Sequence, residues 1–359
     1  STIPFIKGLT LSELFFDEAV RPLLSKQFPN LRYTAARIGG GSDVLGFDTP
    51  QSRDHDWGPR LTLFLAPTQI EQKDKVAELL SNNLPFEIRG YSTHYGRHPD
   101  GTVHLEKTDQ YPLTPNITIT TIATFFQNYL HYNPAQPPTV AEWLTFPQQH
   151  LRTIRHGRVF HDDLGLNPIR QTLHYYPHDL WLYNLVGQWL RLEQEIPFVG
   201  RTGDVGDELG SRIIATRQIH NLMQLCFLME KEYAPYPKWF GSAFKLLKAA
   251  PRFKPIFGAV LRANDWRTRE AALAQGYKLA AELHNQLAIT EKVDTGLSYF
   301  HERPYLVFAG QLISALRNAI QDPSVLALPE LLGSINQIVD STDILSVPSR
   351  AAKLKVLYE

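Results

Sequence analysis

Two carboxylates one residue apart, Asp54 and Asp56, follow a Gly39-Gly40-Gly41-Ser42 turn after 11 intervening residues, and the apolar run Leu61-Thr62-Leu63-Phe64-Leu65 comes close behind. On an extended segment, side chains at i and i+2 share a face because they alternate along a strand. Two like charges held there repel, so a cation is the natural reason to keep them together. Carboxylate oxygens are hard ligands, which selects Mg²⁺ (or Mn²⁺). A Gly-Ser turn offers bare backbone N–H groups and a hydroxyl, the usual means of holding phosphate. Asp54 and Asp56 are therefore the candidate metal ligands, and Gly40, Gly41 and Ser42 the candidate phosphate cradle. Ser42 also suits a helix N-cap, and a helix start attracts phosphate as well. A metal beside a phosphate cradle indicates a nucleotide. Arg53 and Arg60 flank the acidic pair, either as triphosphate contacts or as local counter-charges, and His55 between the acids is expected to pack behind the strand.

The turn followed by Asp-x-Asp resembles the signature of the nucleotidyltransferase superfamily that includes DNA polymerase β, poly(A) polymerases and the aminoglycoside nucleotidyltransferases. The places of that signature are taken here by Gly41-Ser42 and by Asp54 and Asp56. Longer strings extend the likeness through the chain: SRDHDWGPR (52–60), GRVFHD (157–162), YPHDLWLY (176–183), PFVGRTGDVGDELGSR (197–212), YAPYPKWFG (233–241) and DSTDIL (340–345). With them the chain is similar to a largely uncharacterised bacterial family of predicted nucleotidyltransferases with a helical C-terminal region.

The resemblance implies an α+β protein with a nucleotidyltransferase-like mixed sheet and helices at residues 1–135 and an all-α helical bundle at 139–359. It implies transfer of a nucleoside monophosphate from a nucleoside triphosphate to a small-molecule or protein acceptor. The superfamily often adds a third carboxylate on a later strand, and by position that residue is Thr118 here. Glu106 or Asp109 are the substitutes upstream; otherwise two carboxylates suffice, or the protein is a catalytically weak nucleotide-binding regulator. Aminoglycoside-type relatives draw a general base from the helical domain. By that analogy the acidic loop from Asp204 to Glu208 offers Glu208, with Asp207 next. The plainer reading of this loop is a helix start whose acids complement the dipole.

The elements that must position these residues follow from periodicity. A helix over 11–27 opened by Ser12, a strand over 33–38, a strand at 61–65, a helix over 69–82, and strands at 86–91 and 102–106 precede the alternating Ile117–Thr120 and the helix Ile122–Leu130. The Pro-rich stretch 133–138 marks a domain boundary. Beyond it the period stays near 3.6, with helices over 139–156, 178–195, 207–232, 238–249, 265–288 and 304–320.

Bulk composition narrows the partners. At 359 residues two domains are expected. Lys plus Arg equals Asp plus Glu, 36 each, which argues against a nucleic-acid binder with a basic field. Cys226 is the only cysteine, so an intrachain disulfide and a Cys-based zinc site are excluded, and an apolar neighbourhood makes it a buried core residue. No signal peptide and no apolar run near the ~20 residues of a membrane span are visible, so the cytoplasm is expected. A glycosyltransferase reading of the Asp-x-Asp is disfavoured because only 53 residues precede Asp54, too few for a full nucleotide-binding unit.

Overall fold

An apolar strand without alternation has to be covered on both faces, and Leu61–Leu65 is buried at every residue. The computed structural model of the protein describes residues 4–299, 306–308, 311–330 and 332–359. The strands that bear on the site are β1 (Tyr33–Arg37), β2 (Leu61–Leu65), β3 (Tyr95–Arg97), β4 (Val103–Leu105), β5 (Ile117–Thr120) and β6 (Arg158–Asp162). A mixed four-stranded sheet runs β5-β2-β1-β6. β1 and β2 are antiparallel with Tyr33 opposite Leu65 and Ala36 opposite Thr62, so the end of β1 and the start of β2 lie at one end of the sheet. β5 runs parallel to β2, with Leu61 opposite Ile117. β6 is antiparallel to β1, with an irregularity between Ala35 and Ala36. β3 and β4 form a separate hairpin. The protein is thus α+β.

One face of the sheet packs on α1 (Gly8–Phe15), the wider π turn Phe16–Val20, α2 (Arg21–Gln27) and α3 (Lys73–Asn83). Leu11, Phe15, Val20, Leu24, Val76 and Leu80 meet Tyr33, Ala35, Leu61, Leu63 and Leu65 there. Each large side chain so buried contributes ~1.5–3 kcal/mol. The opposite face carries α4 (Ile122–Leu130), where Phe125 meets Phe64 edge-on at 5.5 Å. α5 (Gln148–His156) follows: His150 stacks on Tyr129 at 4.4 Å, and the Tyr129 hydroxyl bonds Thr153 at 2.6 Å.

The chain divides into two units, Ser1–Pro138 with Gln149–His174, and Thr139–Gln148 with Tyr175–Glu359. The expectation of a second domain running unbroken from 139 therefore changes, because β6 pairs with β1 and returns residues 149–174 to the first unit. A five-residue, half-buried strand inside helical surroundings is too short to announce its period. Helix boundaries change as well, and the helix expected over 238–249 stops at Phe244. The first helix begins at Gly8, so Ser12 is not its cap; it is buried inside α1 and accepts the backbone N–H of Arg60 at 3.3 Å. The helix expected over 139–156 divides at Pro147 into Val140–Thr145 and α5, since a residue preceding proline is pushed to the extended region. The helix expected over 304–320 gives way to strand Leu306–Phe308, paired with Leu297–Tyr299, and helix Gln311–Ala319; residues 304–305 and 309–310 lie outside the described residues.

The second unit is built largely of helices, among them α6 (His178–Glu195), α7 (Phe198–Asp204), α8 (Glu208–Met229), α9 (Ala250–Arg262) and α10 (Trp266–Leu287). Leu182, Leu185, Trp189 and Leu192 of α6 and Leu222, Leu225 and Cys226 of α8 are wholly buried. Burial pushes the Cys226 thiol pKa up, as fits an inert core residue. Among the described residues no helix is long and apolar enough to cross a membrane.

Candidate functional site

β1 ends on Arg37, which sequence inspection passed over. Its Nε and Nη2 donate to the two carboxylate oxygens of Asp43 at 2.7 and 2.8 Å, and Arg60 Nη2 donates to Asp43 Oδ1 at 2.8 Å. Arg37 also holds the backbone of the turn, through Ile38 O at 3.1 Å and Gly40 O at 2.7 Å. Arg37 and Asp43 are both buried. Burial opposes ionisation of Asp43, but Arg37 and Arg60 overcome it and hold its carboxyl at about 2. The only advance sign of this cluster was a charged residue at each edge of the glycine turn.

Gly41 sits over the cluster at φ 149°, and a Cβ there would collide with Asp43 and Arg37 and stand 2.6 Å from Arg60 Nη2. Its missing side chain therefore serves the buried charges, and not the approach of a phosphate from outside. Gly40 faces open space. The backbone N–H groups of Gly40, Gly41 and Ser42 donate to no protein acceptor among the described residues. Ser42 is the first residue of a one-turn helix, Ser42–Leu45, preceded by Gly41, so its hydroxyl is not the cap.

Asp54 and Asp56 are not on a strand. Asp54 ends a 3₁₀ turn, Pro50–Asp54, that is opened by a Thr49/Ser52 capping box. Its carboxylate is 68% exposed, and Oδ1 meets the backbone N–H and ring Nδ1 of His55 at 2.9 and 3.0 Å. Asp56 takes the left-handed conformation at φ 47°. It docks on β4, its N–H donating to Val103 O at 2.8 Å and its Oδ1 accepting the Val103 N–H at 3.2 Å. The alternation that was to align the two carboxylates is thus absent, and His55 is half exposed instead of packed behind a strand. Gly58 and Pro59, poor strand residues, delay β2 to Leu61.

The stretch between the acids and β2 is firmly held. Buried Trp57 donates from Nε1 to Asp48 Oδ2 at 3.0 Å, and the same oxygen accepts the Gly8 N–H at 2.7 Å. Phe5 stacks on Trp57 at 5.5 Å. Gly58, at φ 134°, lies against the Tyr95 hydroxyl and Leu105 of the β3–β4 hairpin. The hairpin also carries His98 and His104, whose rings are 3.8 Å apart, and Glu106, 3.6 Å from His98. Glu106 thus belongs to the hairpin on which Asp56 docks. Thr118, where an acid was expected, is exposed and pairs with Thr62.

Among the described residues no group of three or more His, Cys, Asp and Glu is placed to hold a metal ion. Among the described residues nothing bonds Oδ2 of Asp54 or of Asp56, which suits an ion that takes one or two carboxylates and completes its shell with substrate phosphate. Arg60 belongs to the Asp43 cluster, while Arg53 folds back on Pro50 O at 3.0 Å. The structure brings Gly40, Gly41, Ser42 and Arg60 together through Asp43, and Arg53 stands apart from them.

In the second unit, Asp207 caps α8 by accepting the Gly210 N–H at 2.8 Å. Glu208 pairs at 2.8 Å with Arg269, which is 1% exposed and also donates to Ser211 Oγ at 2.7 Å and Ala263 O at 3.2 Å. The hydrogen bond from Arg269 lowers the Glu208 pKa, opposite to the tuning of a general base. Gly203 presses on Trp266. The geometry of this loop favours the helix-start reading, with Glu208 as the counter-charge of a buried arginine.

Other strings that carry the resemblance also have packing roles. Asp162 of GRVFHD accepts from Thr34 Oγ1 at 2.8 Å and from the N–H groups of Gly165, Leu166 and Asn167, each at 2.9 Å. Trp181 of YPHDLWLY donates to Leu228 O at 2.7 Å. Tyr233 of YAPYPKWFG is buried against Tyr175 and Tyr176.

Residues 143–240 match the family described as Domain of unknown function (DUF4037). No curated protein matches the chain. Among solved structures the chain is similar to a nucleotidyltransferase-like protein from Exiguobacterium sibiricum 255-15, with 11% sequence identity and a TM-score of 0.34, covering 80% of this chain and 83% of that one.

Proposed function

We propose that the protein is a Mg²⁺-dependent nucleotidyltransferase that moves a nucleoside monophosphate from a nucleoside triphosphate to a small-molecule or protein acceptor. The observation that carries this reading is the run of three peptide N–H groups without acceptors, at the same end of the sheet as the Asp54–Asp56 segment that leads into β2. The N–H groups of Gly40, Gly41 and Ser42 bind the β- and γ-phosphate oxygens. The acceptor oxygen attacks the α-phosphorus and loses its proton, the bond from that phosphorus to the α–β bridging oxygen breaks, and pyrophosphate leaves. Bound at the free oxygens of Asp54 and Asp56, Mg²⁺ supplies neutralisation of the charge that develops on the transferring group. The docking of Asp56 on Val103 fixes where its carboxylate stands, and the anchoring of Trp57 on Asp48 holds the backbone that follows it. A balanced net charge suits a small or protein acceptor better than a nucleic acid.

Thr118 and the non-strand setting of Asp54 and Asp56 favour a second reading, a nucleotide-binding regulator without turnover. One experiment tests both: the protein is incubated with Mg²⁺ and α-labelled nucleoside triphosphates, with acceptor mixtures and with itself as acceptor, and pyrophosphate release is followed. Transfer that disappears in Asp54→Asn and Asp56→Asn supports the transferase. Nucleotide binding without turnover supports the regulator, and absence of binding overturns both.

A further inference from the structure

A cleft of about 330 Å³ opens in the second unit, between α6, the helix Gln311–Ala319 and the segment 320–330. That volume lies at the small end of ligand sites, which run from ~300 to 1,000 Å³. Its walls are fixed from behind. Leu312 and Leu316 are wholly buried where their helix packs against α6. Asp179, in the first turn of α6, accepts the N–H groups of Gln321 and Asp322 at 2.8 and 2.6 Å, and the Tyr183 hydroxyl donates to Pro329 O at 2.8 Å. The segment is thus tied to α6 at both ends, and a site held in place before binding loses less entropy when it is filled. The floor is aliphatic: Val186, Ile320, Val325 and Leu328 line it and are buried. Leu326 lines it as well but is 58% exposed.

The mouth of the cleft is charged with both signs. Arg317 and Glu330 line it, pair with each other, and stay 44% and 66% exposed. Ser314 and Asn318 share the helix face of Arg317 and complete the polar wall. Among the described residues their side chains bond no other protein group. An exposed ion pair contributes little, so its two members exchange readily for those of a ligand. An anion alone would take Arg317 and leave Glu330 facing it, and a cation alone would do the reverse. A neutral apolar molecule would leave the pair closed across the mouth. A zwitterion meets both members at once and adds no net charge. We propose that this cleft binds a free aliphatic α-amino acid of about the size of leucine, its carboxylate on Arg317, its ammonium on Glu330 and its side chain on the Val186–Leu328 floor. Charge-assisted hydrogen bonds at the two ends set the orientation. The aliphatic side chain, laid on the floor and over Leu326, supplies burial of apolar surface. None of the groups used in the nucleotide reading takes part.

The test is calorimetric titration of the full chain with L-leucine and with two of its fragments: isoamylamine, which lacks the carboxylate, and isocaproate, which lacks the ammonium. The native protein should bind leucine at least about tenfold more tightly than either fragment, the worth of one hydrogen bond between charged groups. In Arg317→Gln the preference for leucine over isoamylamine should vanish, and in Glu330→Gln the preference over isocaproate. Both residues are exposed, so melting of the unliganded variants should stay within about 1 °C of native. The matched loss of one preference per variant is the readout that a merely structural role would not produce. Ser314→Phe, from the exposed wall, should fill the cleft and abolish leucine binding. A native protein that gives neither heat nor a rise in melting temperature with millimolar leucine overturns the inference. So do equal affinities for leucine and its fragments, preferences that survive the loss of the charges, and leucine binding unchanged in Ser314→Phe.

Discussion

Asp43→Asn isolates the electrostatic contribution of the buried cluster. The carboxylate carries three hydrogen bonds from two arginines, and asparagine keeps its size while removing its charge. Two estimates of the cost agree. The carboxyl falls from an ordinary 3.8 to about 2 on folding, and close to two pKa units correspond to about 2–3 kcal/mol. Removing one partner of a buried ion pair costs ~3–5 kcal/mol, because the cations left behind repel. About 3 kcal/mol is therefore expected. Because the folded value is depressed, this stability is complete above pH 3.8 and is lost as pH falls through about 2. Trp57 is the one tryptophan of six that lies in the first unit. Fluorine NMR of fluorotryptophan-labelled protein in urea thus reads that unit alone. The native protein should lose the acid-sensitive component across this window, and the variant should lack it from the start. A difference under about 1 kcal/mol near neutral pH, or an identical acid response in the two proteins, would show that the Asp43 charge does not stabilise the fold.

Neighbouring glycines should differ sharply: Gly40→Ala is expected to be near neutral, while Gly41→Ala should cost more than about 2 kcal/mol in urea denaturation, from the strained φ and the collision with the ion cluster. Glu208→Gln removes the negative charge that faces buried Arg269 and leaves it one amide oxygen in place of two carboxylate oxygens, so about 1–2 kcal/mol of stability should be lost. Unchanged stability with impaired turnover would return Glu208 to the role of base. Asp54→Asn should leave melting within about 1 °C, since its carboxylate is mostly exposed, and a large drop would show a structural role that its neighbours do not suggest.

The elements that the sequence announced are those with long or uninterrupted patterns. Leu61–Leu65, Ile117–Thr120, Ile122–Leu130 and His178–Glu195 fall where periodicity places them. Arg158–Asp162 was hidden because five half-buried residues carry no period, and its partner β1 is far away along the chain. At the site, the turn and the acids were visible as residue types, but their geometry was not. Asp56 takes its conformation from a hairpin more than forty residues later, through Val103. Asp43 escaped notice because its meaning depends on Arg37 and Arg60 converging from two different strand ends. Short-range spacing reports which groups share a face only when the backbone stays regular, and Trp57-Gly58-Pro59 interrupts it.

The return of residues 149–174 to the first unit has a consequence for how the chain is made and cut. The sheet gains its last strand only after 24 more residues of the chain than the Pro138 boundary supplies, counting to Asp162 (162 − 138). On the ribosome, β1 must wait for them with one edge unpaired, and an unpaired edge is a template for other strands. A fragment ended at Pro138 would keep that edge permanently, lose the Asp162 acceptor for Thr34, and invite aggregation. The two units are interleaved along the polypeptide and cannot be separated by one cut; a soluble fragment of the first has to carry the chain through His174.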